Sequence, residues 1–441
     1  MAQYPGRNAL QNHFRVNEML ESNRSALQMR DCPEIELLLG CARRSIDHER
    51  AEQIRSLLLR GIDWVYLLRF AISNGLLSFL YNGLHSACSD LVPQTTMEQL
   101  GKQFEINLKR SLYLAEELTT LIRLFDRHAV GAVPFKGPAL AAYVYGDLSL
   151  RQFSDLDILV CRRDVATAKA LLISQGYKQK LPPGGEEELK RLASRNVDQF
   201  VRDDGKVIVE LHWRLTPDYF PFAFHLEEHL ESLQHISLEG SQVPTFRPED
   251  LLLILCMHGC KHRWERLDWV CDVAELVRSH AEINWAEAIK QARALGAERM
   301  LYVGLLLINE VFQVSLPQEV MGKARKQPVI KRLAAQVMER FCREPGEAAD
   351  LLETPLTDEG IMIATLYFHL RVRERVRDKV RYGSHLLYLA LRPSKRDRAI
   401  ISLPASFSFL YYLLRPMRLV NQYGLSRVPR LLAQLTKLLK L

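Results

Sequence analysis

The chain has 441 residues, 59 Lys and Arg against 52 Asp and Glu, and 48% hydrophobic residues. At about 100–200 residues per domain this length predicts two to four domains. An apolar fraction near one half with 25% charged residues excludes wholesale disorder, and 22 Gly with 19 Pro exclude collagenous or low-complexity architecture.

The opening stretch, MAQYPGRNALQNHFR, holds no apolar run of the kind a secretion signal needs. The eight cysteines are sparse and irregular, which predicts reduced thiols and a cytoplasmic protein. Up to residue 125 the chain reads as helical. Apolar segments at Ile35 to Leu39, Ile54 to Leu59 and Trp64 to Leu77 fit three- and four-residue spacing, and Glu105 to His128 continues it until Gly131.

Between 126 and 245 the texture becomes mixed. Ala132 to Phe135 is a short strand candidate, followed by Lys136-Gly137 and a helix-like Pro138 to Tyr145. Leu156 to Val160 is a β-rich run, Asp164 to Gln175 a helix ended by Gly176, and Val197 to Arg202 with Val207 to Trp213 two strands about an Asp203-Asp204-Gly205 turn. From 246 to 370 the periodicity is helical again. An α+β fold is expected, with a small mixed-sheet core flanked by helical regions.

The last segment, 371–441, carries 16 Lys and Arg against 3 Asp and Glu, a net charge of +13; the preceding residues are net −6. Phe407, Phe409, Leu410 to Leu414, Arg415, Arg418, Arg427 and Arg430 mix apolar and basic character. This tail is expected either to touch an anionic membrane surface, making the protein peripherally membrane-associated, or nucleic acid, or else to pack as a basic helical cap. The uncharged run from Ala399 to Leu414 has 16 residues and includes Pro404, short of the ~20 that a span needs.

The chemistry concentrates in the mixed region. On a strand, Asp155 and Asp157 share a face, and carboxylates this close repel unless a cation sits between them. Hard divalent ions suit all-oxygen ligation. The spacing alone is also compatible with a solvated strand end or capping aspartates. Glu210 interrupts an otherwise apolar strand and shares its face with His212, so beside the Asp155/Asp157 strand it would complete a three-carboxylate site; an edge strand with a wet polar face is the other reading. Lys136-Gly137 is a strand-to-helix turn in which Gly137 allows close backbone approach and Lys136 offers a charge to phosphate; a P-loop is absent. In Cys256-Met257-His258-Gly259-Cys260-Lys261-His262 the cysteine and histidine pairs point about 160° apart on a helix, which argues against zinc and for buried thiols with histidines toward a cleft.

Phe135-Lys136-Gly137, Tyr145-Gly146-Asp147, Arg151, Ser154-Asp155-Leu156-Asp157-Ile158-Leu159-Val160 and Glu210-Leu211-His212-Trp213 together resemble the bacterial family of uncharacterised nucleotidyltransferases. The Lys-Gly turn and Asp-x-Asp are similar also to abortive-infection toxin nucleotidyltransferases; both groups belong to the polymerase-β-like superfamily. His258 to Trp264, with Leu267-Asp268-Trp269 and Asp272, resembles the helical region that follows the core in the first family. The resemblance implies that Asp155, Asp157 and Glu210 are catalytic and ligate two Mg²⁺ ions. It implies a nucleotide-binding set of Lys136, Gly137, Arg151, Ser154, His212, Lys261 and His262, with Asp272 near nucleotide or acceptor. The expected reaction moves a nucleoside monophosphate from an NTP to a hydroxyl or phosphate on a small molecule, glycan, peptide or RNA. The alternatives are a non-catalytic nucleotide-binding or scaffold protein and a toxin-like enzyme modifying tRNA. The superfamily's Gly-Ser turn is Gly137-Pro138-Ala139 here, leaving backbone N–H groups and Lys136 to meet phosphate.

Overall fold

The computed structural model describes residues 29, 31–180, 196–342, 359–391 and 410–411. Of the tail residues singled out above, Leu410 and Tyr411 fall within these; the others lie outside the described residues.

Helices α1 (Pro33–Cys41), α2 (His48–Leu59), α3 (Trp64–Ser73) and α4 (Leu77–Cys88) precede the long α5 (Gln94–Arg127). Side chains of Asp47 and Asp63 accept from the first free N–H groups of α2 and α3, satisfying donors that a helix start leaves unpaired. The expected Trp64 to Leu77 segment is two helices, because Gly75 takes φ +69° and turns the chain between them. The α5 terminus also differs from expectation. His128 caps it and Ala129, at φ +53°, makes the left-handed step ahead of Gly131.

A five-stranded mixed sheet follows, built from β1 (Ala132–Pro134), β2 (Leu156–Val160), β3 (Tyr177–Gln179), β4 (Val197–Arg202) and β5 (Ile208–His212) in the order β1-β2-β5-β4-β3. The β2/β5 pair is parallel and the other pairs are antiparallel. Between β1 and β2 lies the short helix α6 (Gly137–Leu140), which widens into a π-turn over Ala141–Tyr145. Helix α7 (Val165–Ser174) joins β2 to β3. A hairpin of β6 (Gln234–Leu238) and β7 (Ser241–Thr245), not expected from the sequence, leads into helices α8 (Pro248–Lys261), α9 (Leu267–Ser279), α10 (Trp285–Leu295), α11 (Glu298–Phe312), α12 (Gln318–Arg325), α13 (Pro328–Phe341), α14 (Glu359–Val372) and α15 (Val376–Leu391). No described helix is long and apolar enough to cross a membrane.

Alternation in the strands divides the core in two. Leu156, Ile158, Val160, Val209 and Leu211 pack with Leu114, Leu118, Leu121 and Phe125 of α5. Leu159, Val133 and Phe135 join a second, larger core with the helices from α8 onward. Asp157, Glu210 and His212 stand on the same face as Leu159, so the polar side chains meet the helical layer rather than α5. That sidedness positions the site.

Candidate active site

Asp157 and Glu210 are direct register partners on the parallel pair β2/β5, and Leu159 is opposite His212. The expected juxtaposition of the two strands therefore exists in the centre of the sheet. Nε2 of His212 lies 3.2 Å from Asp157 Oδ1 and 3.5 Å from Glu210 Oε2. Asp157, Glu210 and His212 each offer one donor atom, all within 4.8 Å of one another, and could hold a metal ion. Asp155 precedes β2 and lines the same cleft.

The Lys136-Gly137 turn closes one side. Gly137 takes φ +59°, and a methyl group there would come 3.3 Å from the Asp155 carbonyl oxygen, so the turn lies tightly on the chain entering β2. Lys136 Nζ is thereby brought 3.1 Å from Asp157 Oδ1. In this structure its charge rests on that carboxylate. Lys136 supplies the side-chain positive charge at this wall.

Helix α5 holds the segment leading into β2. Asn107 Nδ2 donates to the carbonyls of Ser149 (3.0 Å) and Arg151 (3.4 Å), and Arg110 donates to that of Ser154 at 3.0 Å. Ser154 is exposed at the cleft rim. Arg151 and Asp272 do not stand free as ligand contacts. The Arg151 guanidinium forms a buried bidentate pair with Asp272 on α9 (3.0 Å from Nε to Oδ1 and 3.0 Å from Nη2 to Oδ2), and Tyr145 donates to the same carboxylate at 2.9 Å. Arg151 still borders the cleft, whereas Asp272 is buried behind it.

The opposite wall comes from α8 and α9. His258, His262 and Trp269 form a ring cluster with centroids 4.8–5.5 Å apart, and Lys261 and Arg266 stand beside it. Cys256 and Cys260 point into the core, where Cys260 accepts from Trp264 Nε1 at 3.3 Å, as expected for buried thiols. The cleft encloses about 350 Å³. Gln152, Phe153, Leu215 and Arg266 also line it and carry no role in the sequence reading, in which Met257 and Asp268 figure only as members of their motif blocks. The Arg266-Leu267-Asp268-Trp269 run beside the histidine block was the available signal.

Electrostatics separate the carboxylates. Burial and the charges of Asp157 and Glu210 push Asp155 up to about 6. Burial opposes ionisation of Asp157 too, but the Lys136 charge and the His212 hydrogen bond outweigh it and hold that carboxyl below the usual range. The His212 hydrogen bond likewise lowers Glu210. Burial, reinforced by Lys136, lowers Lys261 and drives His258 well down, while burial and Lys261 lower His262 to about 4. One wall is thus anionic, and the facing wall offers neutral rings beside a lysine.

No curated protein matches the chain. One solved structure with some likeness is an antigenic nucleotidyltransferase-like protein from Paracoccidioides brasiliensis, 15% identical over 47% of this chain and 96% of that one, at a TM-score of 0.32. The profile of the family described as uncharacterised nucleotidyltransferase matches residues 60–313, more than half of the chain and the whole of the cleft just described. The chain belongs to that nucleotidyltransferase family.

Proposed function

We propose that this nucleotidyltransferase is Mg²⁺-dependent and moves a nucleoside monophosphate from an NTP to a hydroxyl or phosphate acceptor. The observation that carries the reading is the β2/β5 register, which puts Asp157 beside Glu210 in a cleft that Asp155 also lines. The donor set fits a hard divalent ion. Asp155 is raised by burial and its neighbouring carboxylates, the sign of a cluster suited to a cation. His212 fits as a positioning residue rather than a ligand. Its Nδ1 is buried without a hydrogen-bond partner, so turning Nε2 to a metal would strand a proton on Nδ1. With Nε2–H shared between Asp157 and Glu210, both carboxylates are oriented and every proton has an acceptor.

Bound between Asp155, Asp157 and Glu210, Mg²⁺ would polarise the α-phosphate and neutralise the departing pyrophosphate. The chain's own residues do the rest. Lys136 would exchange its contact with Asp157 for the triphosphate. Lys261 faces the same space and adds positive charge, while Arg266 borders it in a bidentate pair with Asp268, 2.6 Å from Nη2 to Oδ2. The Trp269, His258 and His262 rings present flat neutral surfaces on which a base can stack. Arg151, fixed by Asp272, holds the floor in place and adds its field.

The test is transfer of α-phosphate label from each NTP, with Mg²⁺, into a cell lysate. Wild type is expected to label an acceptor, and an Asp155→Asn/Asp157→Asn double variant to label at least about 10³-fold less. Folded wild type that binds Mg²⁺–NTP but labels nothing in any lysate would support a nucleotide-binding protein instead.

A further inference from the structure

Helix α15 has two unlike sides. Its inner side is anchored on the loop that follows β5. Tyr382 is buried, His385 stacks on Tyr219 with centroids 3.7 Å apart, and Arg381 donates to the Asp218 carbonyl at 3.2 Å. Its outer side exposes Val376 (73%), Val380 (61%), Leu387 (60%) and Tyr388 (45%). These are four of the ten large hydrophobic side chains most exposed among the described residues. Exposed apolar residues scattered singly need no explanation, but a concentration along one helix does.

Their placement is ordered. At 100° per residue, Val376, Val380 and Leu387 fall within about 40° of one another and form a stripe. Arg377 flanks it on the side of Tyr388, with Arg381 beyond it held by the Asp218 carbonyl, and Lys379 flanks the other edge. Arg377 is 71% exposed, whereas the helix's one acid, Asp378, is buried. An apolar stripe with basic edges and an aromatic at the border suits a helix lying in a headgroup layer, where the stripe enters the acyl boundary and the long basic side chains reach phosphates. Nucleic acid would use the arginines but gives no role to the valines and leucine.

We infer that the outer face of α15 docks the protein on an anionic phospholipid bilayer. The full-length protein is expected to co-sediment with phosphatidylglycerol-containing vesicles and to leave pure phosphatidylcholine vesicles unbound. Val376→Asp/Leu387→Asp should weaken partition at least about tenfold with unchanged thermal unfolding, because both positions are exposed in the folded chain. Arg377→Glu/Lys379→Glu should weaken it similarly and reduce its dependence on salt. Photolabelling of the unaltered protein from a diazirine-bearing lipid should mark residues 376–388, a readout that needs no variant. Four results would overturn the inference: no binding to anionic vesicles; binding that the aspartate variants leave intact; an RNA homopolymer that competes completely and binds the aspartate variants as tightly as wild type; or a dimer lost in those variants without any lipid binding.

Discussion

The imidazole of His212 is the residue on which the carboxylate geometry turns. One ring nitrogen faces both Asp157 and Glu210, and the other has no partner in its buried slot against Phe135. A His212→Gln variant keeps a donor but loses the rigid ring. It is expected to weaken Mn²⁺ binding, read by electron paramagnetic resonance, and nucleotidyl transfer by about 10–100-fold each. Transfer and metal affinity equal to wild type would show that the carboxylates orient themselves. Period-two alternation makes two pairs legible in the amino-acid order, Asp155 with Asp157 and Glu210 with His212, whereas their meeting depends on the β2/β5 pairing. Nothing local, however, reveals that Lys136 rests on Asp157, since that contact depends on a left-handed Gly137 packed against the Asp155 carbonyl. Arg151 is legible as a charge near the site but not as half of an ion pair, because its partner Asp272 lies 121 residues away.

At the scale of elements, strand runs such as Leu156 to Val160 are readable because β-branched and leucine content, broken only by Asp157, marks a strand buried on both faces. The helix crossings are not. Between α8 and α11, Trp264 is fully buried, and a methyl group at Gly259 would approach its ring to 2.5 Å while one at Gly304 would meet Cys256 Sγ at 2.5 Å. The two glycines form a notch for the indole. Arg263 and Trp264 both take positive φ to deliver it, at +55° and +53°, and neither residue type signals that conformation. Gly259→Ala should therefore destabilise by about 1–3 kcal/mol despite raising helix propensity. Urea unfolding measures it; a stabilised variant would mean that the α8/α11 crossing yields easily. The β6/β7 hairpin is hidden in the sequence for a different reason: β6 is mostly exposed and alternates only at Ile236 and Leu238, and Pro244 interrupts β7.

Across the whole molecule, burial sets the response to acid. His262 is lowered to about 4, and burial together with Arg373 lowers His369 to about 3. Below pH about 6.5 the unfolded chain takes up protons that these buried rings refuse, so stability falls on acidification and is unaffected by them above that pH. Each such histidine contributes a slope of up to about 1.4 kcal/mol per pH unit between its folded and unfolded values. Melting temperature is expected to drop steadily from pH 6.5 to 4.5, before most carboxylates titrate. The raised Asp155 carboxyl works in the opposite direction over the same range, so the drop is read in an Asp155→Asn variant, where a flat profile would mean that both rings are solvated. The order of helical, mixed and helical segments expected from composition and periodicity is visible in this architecture.

The parallel β2/β5 register has a further consequence for selection. With no cation present, burial and the charges of Asp157 and Glu210 oppose ionisation of Asp155, and the Gly137 turn packed on its carbonyl holds it at the entry to β2, beside the Asp157/Glu210 pair. Asp155→Asn should thus make the ion-free chain more stable by about 1–2 kcal/mol while removing transfer, with solvent screening at this partly exposed site included. Added Mg²⁺ should raise the melting temperature of wild type and leave that variant unmoved; the opposite pattern would refute the trade. A screen of this chain for thermal robustness alone would then enrich inactive proteins, because part of what makes it an enzyme is held as instability at the centre of its sheet.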